Sequence, residues 1–161
     1  MSVNLPLRPR MAASHGHHRI AIVASEYNPE FVQPLVDNTS RELYAIHAGI
    51  SLELFSVPGA FEVPLAVKLL AAKKRVEAII ALGVIIRGET EHADLIAHTV
   101  TDSLQRISLE FGIPIIHEVL LLNDEAQAKA RCIDTDHNRG IEAARAALQM
   151  VKSVTDIQQL K

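Results

Sequence analysis

The sequence between positions 82 and 98, LGVIIRGETEHADLIAH, joins an apolar run to a short polar turn and then to a helical pattern with a histidine in its first turn. The turn at 87–91 contains Gly88 and a hydroxyl side chain, and it precedes a helix N-terminus, where backbone N–H groups and the helix dipole favour anions. His92 adds an imidazole, the side chain that proteins most often use to transfer protons near neutral pH. This pattern predicts an anionic substrate bound beside an imidazole.

The segments that must position this turn alternate between strand and helix. The run 76–86 is rich in Val, Ile and Ala without polar alternation, which is typical of a strand buried on both faces of a parallel sheet. Strands are predicted over 19–25, 51–57, 76–86 and 113–122, and helices within 28–47, around 61–74, and over 91–111, 125–131 and 138–151. This order predicts an α/β fold, a flavodoxin-like three-layer sandwich with a four-stranded parallel sheet. Pro34 and Pro64 fall inside two of these helices, which are therefore expected to start late or to bend.

Composition limits the classes of protein that this chain can represent. Its 161 residues, 48% of them hydrophobic, predict one domain at 19–155, with an N-terminal arm at 1–18 that is loose unless a partner fixes it and a tail at 156–161. The net charge of -3 and the scattered basic residues argue against nucleic acid as a partner. The single cysteine, Cys132, fits a reducing compartment, and neither a membrane span nor a signal peptide is apparent. We therefore expect a cytoplasmic location.

Ligands of open parallel sheets bind at the carboxyl ends of the strands, so the residues after each predicted strand are the candidates for chemistry. Those positions hold Glu26-Tyr27-Asn28, residues 58–62, residues 87–92 and Asn123-Asp124. Dinucleotide, P-loop and nucleophile-elbow motifs are absent from the sequence. His92 and His98 are not spaced to share a metal on one helical face, and the HGHH tract at 15–18 is typical of a solvated tail that binds metal at most weakly. Acid–base and electrostatic catalysis without a metal therefore remains.

Three strings, VPGAFEVP at 57–64, ALGVIIRGETEH at 81–92 and SLEFGIPII at 108–116, together with NRGIEAA at 138–144, resemble the 6,7-dimethyl-8-ribityllumazine synthase family. The resemblance runs in order from about residue 20 to residue 151. It implies a transferase of riboflavin biosynthesis that condenses 5-amino-6-(D-ribitylamino)uracil with 3,4-dihydroxy-2-butanone 4-phosphate, releasing phosphate and water. It also implies that no cofactor is needed.

The resemblance assigns a role to each matching position. It implies that His92 transfers protons, that Arg131 grips the phosphate and that Tyr27 stacks on the uracil ring. For Asn28, an ordinary helix N-cap is an equally good interpretation. The remaining implied substrate contacts are Ala60, Phe61 and Glu62 toward the ribityl chain, the strand residues Val84, Ile85 and Ile86 toward the pyrimidine, and Gly88, Glu89 and Thr90 toward the phosphate. The negative charge of Glu89 is expected to point away from that phosphate.

The chain departs from the family's pattern at two positions. His117 stands where many relatives carry a phenylalanine that borders the substrate from the adjacent subunit, so stacking there would be pH-dependent. Thr135 stands where many carry a second phosphate-binding lysine, so phosphate affinity is lower unless His137 or Arg139 compensates. The altered turn favours a homo-oligomer that is a pentamer or a decamer of two pentamers over a large shell.

Other functions stay open at this point. One alternative is a non-catalytic flavin- or lumazine-binding module, and another is a structural shell protein, which the altered turn disfavours. A pairing of Glu142 with Arg131, which would orient the guanidinium, is a further hypothesis.

Overall fold

A computed structural model of the chain describes residues 5–11 and 16–160. Its strands are β1 (His18–Ser25), β2 (Ile50–Val57), β3 (Ala78–Ile86) and β4 (Ile115–Leu122). Its helices are α1 (Pro29–Ile46), α2 (Val63–Lys73), α3 (His92–Phe111), α4 (Glu125–Cys132) and α5 (Arg139–Gln158), and a single 3₁₀ turn at Ala60–Glu62 precedes α2. The strands are all parallel, in the order β2-β1-β3-β4. The predicted four-stranded α/β sandwich is confirmed.

The hydrophobic core has two halves, one on each face of the sheet. Alternate residues of β1 and β3 point to opposite faces, so Ile20 and Ile80 pack with α1, α4 and α5, whereas Ala21 and Ile79 pack with α2 and α3. The central strands are therefore apolar over residues 20–24 of β1 and throughout β3, which explains the absence of polar alternation there.

The two prolines have different outcomes. The α-helix α2 begins at Val63, so Pro64 lies in its first turn, where a missing N–H costs no helical hydrogen bond. This is the late start that the sequence predicts. Helix α1 instead begins at Pro29 and runs without interruption through Pro34 to Ile46.

The described part of the N-terminal arm is held by a buried carboxylate. Nε and Nη2 of Arg8 donate to the two carboxylate oxygens of Glu42 in α1, each at 2.8 Å. Arg145 of α5 donates to the same carboxylate at 2.7 Å and to the carbonyl oxygen of Pro6 at 2.5 Å. These ion pairs lower the pKa of Glu42 against the opposing effect of burial. The arm at 5–11 therefore lies against α1 and α5. Residues 1–4 and 12–15 of the predicted arm, including His15, and residue 161 of the predicted tail lie outside the described residues.

Candidate active site

The carboxyl ends of β1, β2 and β3 meet at one edge of the sheet. The connection from β1 enters α1 on one face, whereas the connections from β2 and β3 enter α2 and α3 on the other face. Such a change of side opens a crevice above adjacent strands, which is the usual ligand site of doubly wound sheets. The crevice is bordered by the segments 26–28, 58–62 and 87–92.

Gly59 brings an aromatic ring and a carboxylate together at the end of β2. A methyl group in place of its hydrogen would lie 3.0 Å from Cε2 of Tyr27 and 2.9 Å from Oε2 of Glu62. Gly59 and Ala60 are buried, whereas the ring of Tyr27 is 68% exposed and that of Phe61 is 59% exposed. An exposed ring beside a free carboxylate offers stacking and hydrogen-bond acceptors to a flat, hydroxylated ligand.

We predict that Gly59→Ala weakens ligand binding at this corner without unfolding the chain. The side chains of Tyr27 and Glu62 can move to make room for the added methyl group. The substitution therefore changes the positions of these two side chains more than it changes the packing of the core. We expect the KM for the ribitylaminouracil that the resemblance implies as substrate to rise about tenfold, the effect of about one lost hydrogen bond or ring contact. The control is Ser51→Ala, an equally small change at an exposed position near the other end of β2. An equal KM for both variants in steady-state kinetics would contradict this role for Gly59.

Asn28 connects the end of β1 to β3. It has a left-handed backbone conformation, φ 57° and ψ 53°, which asparagine adopts more readily than most residues. Asn28 is the N-cap residue of α1, and its carbonyl oxygen accepts from the N–H groups of Phe31 and Val32, but its side chain forms no capping hydrogen bond. Instead, its amide nitrogen donates a 2.8 Å hydrogen bond to the carbonyl oxygen of Val84.

The last residues of β3 have one free edge toward the crevice. Pairing with β1 ends at Leu82, whereas pairing with β4 continues to Ile86. The bond from Asn28 shows that the backbone of Val84 faces the β1 side, and by alternation the backbone of Ile86 does too. Ile85 points its backbone groups to the β4 side. Backbone donors and acceptors of β3 are therefore available to a heterocycle at this edge.

The turn after β3 and the first residue of α3 are exposed. Gly88, Glu89, Thr90 and His92 all face solvent. His92 borders an apolar crevice of about 410 Å³ together with Phe61, Leu95, Ile96 and Thr99. The structure thus brings the imidazole close to the ring that precedes Glu62, as a single site requires.

His117 lies away from this group. Its Nδ1 accepts from the Val119 N–H at 3.1 Å, so Nε2 carries the proton and donates to Oγ1 of Thr101 at 2.8 Å. The Thr101 hydroxyl in turn donates to the Ala97 carbonyl oxygen. Burial lowers the pKa of His117, so the ring is neutral at neutral pH. Thr101 lies nine residues along α3 from His92, which is about 13 Å of helix rise and half a turn around the helix axis.

Arg131 also stands apart. It is exposed in the last turn of α4, and within the described part of the chain its guanidinium makes no ion pair or hydrogen bond. The hypothesis that Glu142 orients Arg131 is wrong, because Glu142 pairs with Arg139. Arg139 also donates to Glu118 at 2.9 Å, and it is therefore held by two carboxylates. Thr135 is exposed in the α4–α5 turn.

Glu118 is a buried carboxyl group whose ionisation affects stability. Burial raises its pKa to about 7, because the loss of hydration outweighs the attraction of Arg139. In the native state it keeps its proton between about pH 4.5 and 7, where the unfolded chain has lost it, so native stability falls as pH rises through this window.

We predict that this group lowers the free energy of unfolding by about 3 kcal/mol between those pH values. Glu118→Gln, which keeps the shape and stays neutral, should remove that slope from urea unfolding curves recorded at one protein concentration. An unchanged slope in the variant would show that Glu118 ionises freely in the native state.

Sequence reasoning overlooked two residues of this site. Gly59 was visible only as part of a motif, because its close approach to Tyr27 depends on the distance between two loops. Arg87 donates to Asp94 at 2.7 and 3.3 Å and to Asn123 at 2.5 Å. These bonds fix the first residue of the turn at 87–91, which we call the phosphate turn because the resemblance assigns the phosphate to it. The spacing of Arg87 and Asp94, across a turn and a helix start, is not a recognised pairing pattern.

Residues 5–11 and 16–160 contain neither a membrane-spanning helix nor a metal-binding cluster. No helix there is both long and apolar enough to cross a membrane. No cluster of three or more His, Cys, Asp or Glu side chains is arranged there to hold a metal ion. Cys132 is buried, and burial raises the pKa of its thiol to about 12, which makes it a poor nucleophile.

Comparison with known proteins tests the resemblance. Residues 17–155 match the family model described as 6,7-dimethyl-8-ribityllumazine synthase. Proteins of that name from Leptothrix cholodnii and Pyrococcus furiosus are each 39% identical, over 86% and 82% of this chain and 88% and 82% of their own lengths. Another of that name, from Paraburkholderia phymatum, is 38% identical over 88% of this chain and 81% of its own. The predicted resemblance is confirmed, and the chain belongs to the 6,7-dimethyl-8-ribityllumazine synthase family.

Proposed function

We propose that this chain condenses 5-amino-6-(D-ribitylamino)uracil with 3,4-dihydroxy-2-butanone 4-phosphate to 6,7-dimethyl-8-ribityllumazine, the reaction of its family. The observation that carries the proposal is the crevice that His92 shares with Phe61. The neighbouring Glu62 and Tyr27 both approach Gly59, and Asn28 binds the end of β3. These groups offer a stacking surface, polyol acceptors, backbone partners and a proton carrier. We further propose that the reaction takes place in the cytoplasm.

Substrate binding follows from the chemistry of each border. The uracil ring stacks on Tyr27 and forms hydrogen bonds with the backbone of Val84 and Ile86. The ribityl hydroxyls donate to the Glu62 carboxylate and contact Ala60 and Phe61. This arrangement leaves the reacting amine beside the phosphate turn.

Proton transfer by His92 serves each later step. The ring amine attacks the ketone to give an imine, with loss of water, and elimination of phosphate then gives an enol. The enol tautomerises to a carbonyl, and the ribitylamino nitrogen closes the ring on that carbonyl with loss of a second water. Each step moves a proton on or off nitrogen or carbon near neutral pH, where imidazole both accepts and donates. His92 lies at the first residue of α3, where its ring reaches the crevice while its backbone belongs to the anion-favouring helix end.

The phosphate is held by two subunits in this proposal. Gly88 and Thr90 of the turn provide backbone and hydroxyl donors from one chain, and Arg131 of the neighbouring chain provides a bidentate guanidinium. Arg139 does not compensate for the absent lysine at Thr135, because Glu118 and Glu142 hold it.

Two observations support a site shared between the subunits of a pentamer or of a decamer of two pentamers. His117 is bonded to Thr101, which lies about 13 Å of helix rise and half a turn from His92 on α3, so one chain does not bring both rings to one ligand. Large apolar side chains near the crevice are also exposed, and such patches mark interfaces: Phe61, Leu65, Leu69 and Leu95. A neighbouring subunit would cover them and supply His117 and Arg131.

The test is to mix the purified protein with both substrates and follow the fluorescent product. Saturable turnover that falls moderately in His92→Ala supports the enzyme, and the native mass of the assembly tests the ring. Tight binding of the product without turnover would favour the non-catalytic binding module. The observation that favours this module is that Arg139 pairs with Glu118 and Glu142 and so does not replace the absent phosphate-binding lysine. A stable monomer with full activity would contradict the shared site.

A further inference from the structure

Arg87 joins three segments that approach the phosphate turn. Its backbone N–H donates to the Leu122 carbonyl oxygen at 2.9 Å and so continues the pairing of β3 with β4. Its guanidinium donates through Nη2 and Nε to the two carboxylate oxygens of Asp94, and through Nη1 to the side-chain oxygen of Asn123. The end of β3, the first turn of α3 and the loop after β4 therefore share one planar group.

This geometry indicates that Arg87 holds protein segments together and does not bind the phosphate itself. All three guanidinium nitrogens already donate to protein oxygens, and the charge is matched by Asp94. The hydrogen bond to Asp94 raises the pKa of Arg87 and lowers that of Asp94, so both groups are charged at neutral pH. An ion pair this exposed contributes little to overall stability. Its consequence lies in the position and charge of the turn.

The acidic residues around the turn would repel an anion, and the pairing of Arg87 with Asp94 reduces that repulsion. Glu89, Glu91 and Asp94 place three carboxylates within six residues of one another, in a segment where Arg87 is the cation. Without Arg87, the Asp94 carboxylate would stand unpaired two residues from His92 and repel a phosphorylated ligand.

Asn123 connects Arg87 to helix α4, which carries Arg131. Its backbone N–H donates to the side chain of Gln127 at 2.8 Å, and Asp124 caps α4 by accepting from the Gln127 backbone at 2.7 Å. Helix α4 then carries Arg131 in its last turn. Arg87 is therefore linked through side chains to the helix that bears the phosphate-gripping arginine.

We propose that Arg87 is a positioning residue that fixes the phosphate turn and α3 of its own site and, through Asn123, the α4 helix whose Arg131 serves the neighbouring site. This inference rests on the proposed function. It predicts that loss of Arg87 affects the phosphorylated substrate selectively. Tyr27 and Glu62 lie on other loops, and the backbone of Val84 and Ile86 stays fixed by the pairing of β3 with β4.

The experiment compares Arg87→Met, Arg87→Lys and Arg87→Met/Asp94→Asn with wild type, varying each substrate in turn. We expect Arg87→Met to raise the KM for the phosphorylated ketone about tenfold or more, the effect of one lost charge-assisted contact, with less than about a twofold change for ribitylaminouracil. Arg87→Lys should recover only part of the loss, because it keeps the charge without the fork. The double variant should recover part of it as well, because the unpaired carboxylate is gone.

Arg106→Met is the matched control. Arg106 forms an exposed ion pair with Asp102 farther along the same helix, at 2.8 Å, and its loss should leave both KM values unchanged. Thermal midpoints and native mass verify that all variants fold and assemble. Equal changes in both KM values for Arg87→Met, or the same loss in Arg106→Met, would overturn the inference.

A second measurement separates this inference from the proposed function. Binding of inorganic phosphate, followed by calorimetry, does not require turnover. If wild type binds phosphate but forms no product, the proposed function fails, whereas weaker phosphate binding by Arg87→Met still supports the positioning role. Unchanged phosphate binding in Arg87→Met would overturn that role even in an active enzyme.

Discussion

Arg131→Ala is expected to lower kcat/KM by about two to three orders of magnitude, the effect of removing a preorganised charged donor from a transition state that gains negative charge. Arg131 is exposed in the last turn of α4 and makes no ion pair within the described residues, so its guanidinium is available to a ligand. Its removal leaves no carboxylate unpaired there. Steady-state kinetics with the phosphorylated ketone varied measure the effect.

Lys129→Ala is the matched control for Arg131. Lys129 is also an exposed cation in the last turn of α4, so its removal changes net charge and helix propensity in nearly the same way. We expect activity close to wild type for this variant, and partial activity for Arg131→Lys, which keeps the charge without bidentate geometry. A loss in Lys129→Ala as large as in Arg131→Ala would show that general electrostatics, and not one guanidinium, is responsible.

Gly140→Ala is expected to destabilise the fold by about 3 kcal/mol. Gly140 lies in the first turn of α5, where a methyl group would lie 2.6 Å from the backbone oxygen of Leu35 and 2.9 Å from Oγ1 of Thr39. Alanine favours a helix over glycine by about 1 kcal/mol, but that gain is smaller than the cost of moving the α1 backbone away from α5. Urea unfolding at fixed protein concentration measures the difference.

Gly88→Ala is the control for this stability measurement. The same substitution there meets no neighbouring atom within 4 Å, so we expect an unfolding midpoint close to that of wild type. If Gly140→Ala matched this control, α1 and α5 would have room to separate, and close packing at this crossing would not limit stability.

The sequence by itself determined the element order and the sheet. The uniform apolar runs of β1 and β3 require burial on both faces, and alternation with helices then requires a parallel sheet, because hydrophobic period and burial are local properties of the chain. It also determined which loops bear the chemistry, since the polar groups at 26–28, 58–62 and 87–92 directly follow strands. Family resemblance added roles to those residues.

Only the tertiary structure decided which side chains meet. Arg139 of α5 donates to Glu118 of β4, the side chain of Asn28 donates to Val84 of β3, and Gly59 allows Tyr27 and Glu62 to approach each other. In each case several partners are possible, and the distances between elements far apart in sequence determine which contact forms. Spacing along the chain predicts contacts within one helix or strand, where geometry repeats, but contacts between loops depend on how the whole sheet and its layers pack.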